Sequence, residues 1–119
     1  MIAKKLNDLL FDVITDAKNA GIPIDKNINK TVQIDTNRVD RMGYCDCKVF
    51  EYTIHITDIV LSANVKYIKD ILGHEILHTC FLAKNHSWPW CEYAKIMNNK
   101  YGYNIKEKYN SWKEIGVIV

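Results

Sequence analysis

The sequence predicts an α+β domain: an N-terminal helix, a three-stranded, mostly antiparallel sheet, and two further helices. Three observations carry this reading. Apolar residues recur at helical spacing from Ile2 to Ala20, the period changes to two between residues 31 and 57, and helical spacing returns from Val65 onward. A chain of 119 residues suits one such domain and can bury a core without disulfide staples.

In the first helix Leu6, Leu9, Leu10, Val13, Ile14 and Ala17 share one stripe, with lysines and aspartates opposite. Gly21 and Pro23 stop it. Thr31 to Asp35 alternates, as does Glu51 to Thr57, where Tyr52, Ile54 and Ile56 fall on one face. Arg41 to Cys47 supplies a middle strand, and Gly43 there permits a bulge or a close backbone approach. With turns at Asp35–Asp40 and Cys47–Phe50, the three strands read as a meander. The second helix is expected from Val65 to Ala83, capped by Ser62 or Asn64. Asn85 to Pro89 break it, and Ser87 caps a third helix from Pro89 or Trp90 to Lys100, ended by Gly102. Tyr103 to Val119, with Trp112 and the apolar Val117-Ile118-Val119, is expected to pack back as a short helix or strand.

Composition narrows the function classes. A chain that is 48% hydrophobic and 25% charged is neither disordered nor of low complexity. The 16 Lys and Arg exceed the 14 Asp and Glu by two, and they are spread along the chain, so no dominant electrostatic grip on nucleic acid is expected. No apolar run approaches the roughly 18 residues of a membrane span, and Asn7, Asp8 and Asp12 interrupt any signal-peptide core. Cys45, Cys47, Cys80 and Cys91 form no C-x-x-C pair and read as reduced thiols of a cytoplasmic protein.

The chemistry lies in Gly73-His74-Glu75-Ile76-Leu77-His78. Histidines four apart on a helix project from one face and can hold a single Zn²⁺ at about 2.1 Å. Glu75 then stands beside the ion, where it can act as general base toward a water. Ordinary helix histidines are the bland alternative. Against it, the motif lies in the most apolar helix, among Ile68, Ile71, Leu72, Ile76, Leu77 and Phe81, and three of the four histidines lie between positions 74 and 86. Gly73 is read as leaving space beside the first imidazole. The third ligand is expected to be His86, brought back by a turn through Lys84-Asn85. Glu92 on the next helix is the alternative ligand, or else a group that orients a ligand imidazole. Cys80 and Cys91 are chemically able but less suited. His55, on the strand face opposite Tyr52, reads as a solvated histidine, and Cys45 and Cys47 as residues that pack or lie exposed, since one intervening residue suits a second zinc poorly.

On these residues the chain resembles the SprT-like zinc metallopeptidases, the family that includes the Spartan-type proteases. Arg41-Met42-Gly43-Tyr44-Cys45 is similar to an Arg-Trp-Gly-x-Cys stretch, with Met42 in place of tryptophan. Glu51 to Thr57 is similar to the strand before the active helix, and His74-Glu75-x-x-His78 to the catalytic motif. Asn85-His86-Ser87 resembles the third-ligand turn, and Tyr93 to Ile105 the closing helix with its Gly-x-Asn-Ile end. The YgjP-like metallohydrolases share a similar Asn-His-Ser turn. The resemblance implies a minimal zincin-like domain with Zn²⁺ on His74, His78 and His86. It further implies hydrolysis of a protein or peptide substrate with Glu75 as general base, and weak DNA association. No Cys-x-x-Cys ribbon or basic tail follows the matched stretch, which sets the chain apart from members that cleave DNA-crosslinked proteins. The strand at 51–57 is expected to receive the substrate backbone by strand addition, with Tyr44, Tyr101 or Tyr103 as candidate hydrogen-bond donors. The rival functions are a non-catalytic zinc-binding adaptor on the same scaffold and a purely structural helical interaction protein.

Overall fold

A computed structural model describes residues 2–36 and 41–108. Its elements are α1 (Ile2–Asn19), β1 (Gln33–Asp35), β2 (Gly43–Lys48), β3 (Glu51–Thr57), α2 (Val65–Leu77) and α3 (Trp88–Tyr101), with a 3₁₀ turn at Asp58–Ser62 before α2. The class is α+β. The expected packing of the chain from Tyr103 onward can be followed only to Lys108; Trp112 and Val117 to Val119 lie outside the described residues, as does much of the expected turn at Asp35–Asp40.

Helix α1 buries Leu6, Leu10, Val13 and Ala17 on the core, while Leu9 and Ile14 flank that stripe half-buried. Its end is a Schellman closure. Gly21 takes φ 77°, its N–H donates to the Lys18 carbonyl, and the Ile22 N–H donates to the Ala17 carbonyl.

The sheet differs from a meander. Its order is β1-β3-β2, with β1 parallel to β3 and β2 antiparallel to it. The cause lies just before β1: Tyr52 donates to the Asn27 carbonyl and its own carbonyl accepts from Asn29, so the chain at 27–29 already runs along one edge of β3. Only the other edge remains for β2. A period of two assigns residues to faces, but it does not say which strand lies beside which. The β2–β3 connection is a two-residue hairpin, tighter than expected, with Val49 at φ 51° and Phe50 at φ 65°, the signs of a type I′ turn. Gly43 makes the close approach its residue type allowed. A Cβ there would stand 2.7 Å from the His55 carbonyl oxygen and 3.3 Å from Ile71, so β2 lies tight on both β3 and α2.

Helix α2 is capped by Asn64, whose side chain accepts from the Tyr67 N–H. It ends at Leu77, six residues short of the expected Ala83. The N–H groups of His78, Thr79 and Cys80 bond three residues back, and Thr79 Oγ1 donates to the Ile76 carbonyl while accepting from the Asp25 N–H. A side chain that serves the backbone in this way competes with helix continuation. The chain then folds back through Leu82 at φ 60°. Helix α3 begins at Trp88, with Ser87 at the N-cap position, but the Ser87 hydroxyl donates to the Leu82 carbonyl instead of capping the helix, and Gly102 at φ 73° ends it. The core between sheet and helices is filled by Ile54, Ile56, Ile71, Leu72, Ile76, Leu77, Trp90 and Met97.

Candidate metal centre

His74 is buried on the last turn of α2, His78 is half-buried at its C-cap, and His86 is exposed on the turn before α3. One ligand nitrogen from each lies within 4.8 Å of the others. These three residues could bind a metal. The alternative third ligand, Glu92, is not brought to them: on α3 it pairs with Lys95 at 3.1 Å. The reason is rotational, since the buried face of α3 belongs to Trp90, Ala94 and Met97. Cys80 is buried and burial pushes its thiol up to about 12, while the Cys91 thiol lies against the His86 carbonyl.

The donor chemistry of the cluster fits a metal such as zinc. His74 Nδ1 lies 2.6 Å from the Lys106 carbonyl oxygen and His78 Nδ1 lies 2.8 Å from that of Ala83. A carbonyl oxygen only accepts, so each Nδ1 donates its proton and each Nε2 holds a lone pair. His86 Nε2 is 3.1 Å from His74 Nε2. Two nitrogens on one tetrahedral ion at about 2.1 Å would lie about 3.4 Å apart, so little adjustment separates the two arrangements. Burial lowers His74 to about 3, against the Lys106 hydrogen bond that raises it, and burial likewise lowers His78. Both imidazoles are therefore neutral at pH 7, the form that ligates.

Glu75 Oε2 stands 3.9 Å from His74 Nε2. Its side chain is buried, and burial raises it to about 8, opposed by the positive charge of Arg41. A cation held by the adjacent imidazoles would oppose that shift further.

Several features of the setting leave little trace in the sequence. Trp90, wholly buried, places its ring 4.8 Å from His74, 5.6 Å from His78 and 4.7 Å from His86, and its Nε1 donates to the His74 carbonyl. It forms the wall on which all three imidazoles rest. The only sequence signal for it is a tryptophan four residues after His86, inside the first turn of α3. Gly73 does not leave room beside the imidazole: a Cβ there would meet Ile105 at 2.8 Å. The space serves the segment after α3, which carries the Lys106 carbonyl. That segment is clamped by Asn98, which bonds both the N–H and the carbonyl of Ile105, and by Asp70, which accepts from Asn104.

A cleft of about 360 Å³ opens over the cluster, lined by Gly43, Cys45, Cys47 and Tyr52 on the sheet side and by His74, Glu75, His78, Lys84 and His86 below. Tyr44 also lines it, whereas Tyr101 does not and Tyr103 is committed to Asp16 at 2.7 Å. His55 is half-buried rather than freely solvated. It pairs with Asp35 at 3.2 Å and stacks on Tyr44. Cys45 packs half-buried with its thiol pushed up to about 12 by burial, Cys47 is exposed, and all four cysteines are free thiols.

Comparisons with models of known protein families, with curated proteins and with solved structures find no match. Fold and geometry together define an α+β protein with a three-histidine cluster that could hold a metal ion. Among the described residues, no helix is long and apolar enough to cross a membrane.

Proposed function

We propose that this protein is a zinc-dependent peptidase of SprT-like type, using Glu75 as general base. One observation carries the reading: three imidazole nitrogens within 4.8 Å of one another, with a buried carboxylate oxygen 3.9 Å from one of them. A site that only stored or displayed a metal would have no use for that buried carboxylate. Zinc held by His74, His78 and His86 would supply Lewis acidity and make a water at the site more acidic. Glu75 Oε2 takes a proton from the attacking water and returns it to the departing amine nitrogen.

Substrate backbone is received by β2 rather than by the expected strand at 51–57, because β3 is paired on both edges. In the β2–β3 ladder the pairs exchanging hydrogen bonds include Lys48 with Glu51, next to the two-residue turn, and Met42, whose carbonyl accepts from Thr57. The alternate residues Gly43, Cys45 and Cys47 thus turn their N–H and C=O groups away from β3. All three line the cleft. An extended peptide can pair with them beside Glu75.

The test is metal analysis of purified protein followed by cleavage of casein, with and without single-stranded DNA. Wild type should carry stoichiometric zinc and cut. Glu75→Gln should keep the zinc and lose at least about 100-fold in rate. Bound zinc with wild type and variant equally inert on several substrates would favour an adaptor. Absence of zinc would remove the site altogether.

A further inference from the structure

We propose that the groove between Tyr52 and the loop at 79–85 is a selectivity pocket for a bulky apolar side chain of an extended polypeptide. The inference rests on the peptidase reading of the adjoining cleft and names the kind of chain that cleft would take.

The groove encloses about 630 Å³, and two of its walls, Tyr52 and Lys84, are also walls of the cleft over the histidines. The two spaces therefore adjoin. The loop beside it holds Phe81 83% exposed and Leu82 66% exposed. Adjacent in the chain and both lining the groove, the two side chains place apolar surface where an incoming side chain could cover it. They are not loosely held. Ser87 Oγ donates to the Leu82 carbonyl at 2.6 Å, the Ala83 N–H bonds to the Cys80 carbonyl, and the Ala83 carbonyl accepts from His78 Nδ1. One of these bonds, from His78 Nδ1 to the Ala83 carbonyl, also orients a candidate metal ligand, so the loop and the cluster are held together.

Two features identify the occupant. The outward N–H and C=O groups of Gly43, Cys45 and Cys47 demand an extended main chain, and a strand laid there directs alternate side chains toward the helix side, where the groove lies. Within the groove, Phe81, Leu82 and Cys80 offer apolar contact, while the Asp25 carboxylate, which accepts from the Asn27 N–H, and the Lys84 ammonium at the shared wall offset one another in charge. Leucine or phenylalanine gains from the apolar wall; a lysine meets no net attraction to repay its desolvation.

The experiment uses zinc-loaded Glu75→Gln protein and fluorescein-labelled extended peptides identical except at one central residue: glycine, leucine, phenylalanine or lysine. Anisotropy should show the leucine and phenylalanine peptides binding about tenfold tighter than the glycine peptide, and the lysine peptide no tighter. The double variant Phe81→Ser with Leu82→Ser should bring that ratio within twofold, with zinc content and glycine-peptide affinity unchanged. A preference that survives the double substitution, or one for lysine, overturns the proposal. So does concentration-dependent self-association that the same substitutions abolish, which would give the patch to a second copy of the chain. Amide shifts at Thr79 to Asn85 separate the two readings. If no zinc binds yet these peptides still shift those amides, the peptidase reading falls and an apolar peptide site remains. If zinc binds and casein is cut without regard to apolar residues, the pocket alone falls.

Discussion

His74 and Glu75 are adjacent in sequence and both buried, yet burial acts on them with opposite sign. His74 drops from 6.5 to about 3 in the folded chain, so between those values the unfolded chain binds more protons. Its contribution to stability is present above pH 6.5 and is lost as pH falls toward 3. Glu75 rises from 4.5 to about 8, so its contribution is present below pH 4.5 and is lost as pH rises through 8. Metal-free Glu75→Gln should therefore match wild type near pH 4.5 and become the more stable of the two by pH 9. Thermal melts across that range check it, and a gap that narrows with rising pH would contradict the burial of Glu75. A second outcome concerns the third ligand. His86→Ala should weaken zinc binding at least about tenfold, whereas Glu92→Ala, which severs only the pair with Lys95, should leave it unchanged by calorimetry. At this scale much was legible: helical spacing placed His74, Glu75 and His78 together, and an imidazole in a turn pointed to His86. The partners of their Nδ1 atoms were not, because both are backbone carbonyls, which carry no residue signature.

Among the elements, β2 bears most on the site. Its closeness to α2 depends on Gly43, where a methyl group would press on the backbone oxygen of His55 and lie 3.6 Å from Glu75 Cγ. Backbone cannot swing aside as a side-chain end can. Gly43→Ala should cost about 1–3 kcal/mol by denaturant titration and displace the β2 edge from the cleft. Wild-type stability in that variant would show the contact to be slack. The extents of α1 and α3 follow closely from period, glycine and proline. The end of α2 does not, because the apolar spacing runs on through Phe81. What stops the helix is a threonine hydroxyl shared between the Ile76 carbonyl and the distant Asp25 N–H. A contact across 54 residues of chain leaves no local trace.

In the molecule as a whole, core and site meet at Trp90, which fills the interior and also backs the three imidazoles. Trp90→Ala should cost about 3–5 kcal/mol and weaken metal binding with it. Trp90→Phe, which keeps a ring but loses the donor to the His74 carbonyl, should cost less and retain the metal. Equal losses in both variants, read by denaturation and metal analysis, would assign the role to the hydrogen bond alone. The 103–106 segment has a similar double duty: Asn98 and Asp70 pin it, and Lys106 then steadies His74.

The α+β class, the helix faces, and the close set of two histidines and a glutamate can all be read from residue order, since each follows from the period of a helix or a strand. Only tertiary structure decided that β1 lies parallel beside β3, that β2 is the edge over the cleft among the described residues, and that Trp90 backs the cluster. These depend on contacts between residues far apart in the chain. Side-chain periodicity says which way a residue faces, while packing decides what it meets.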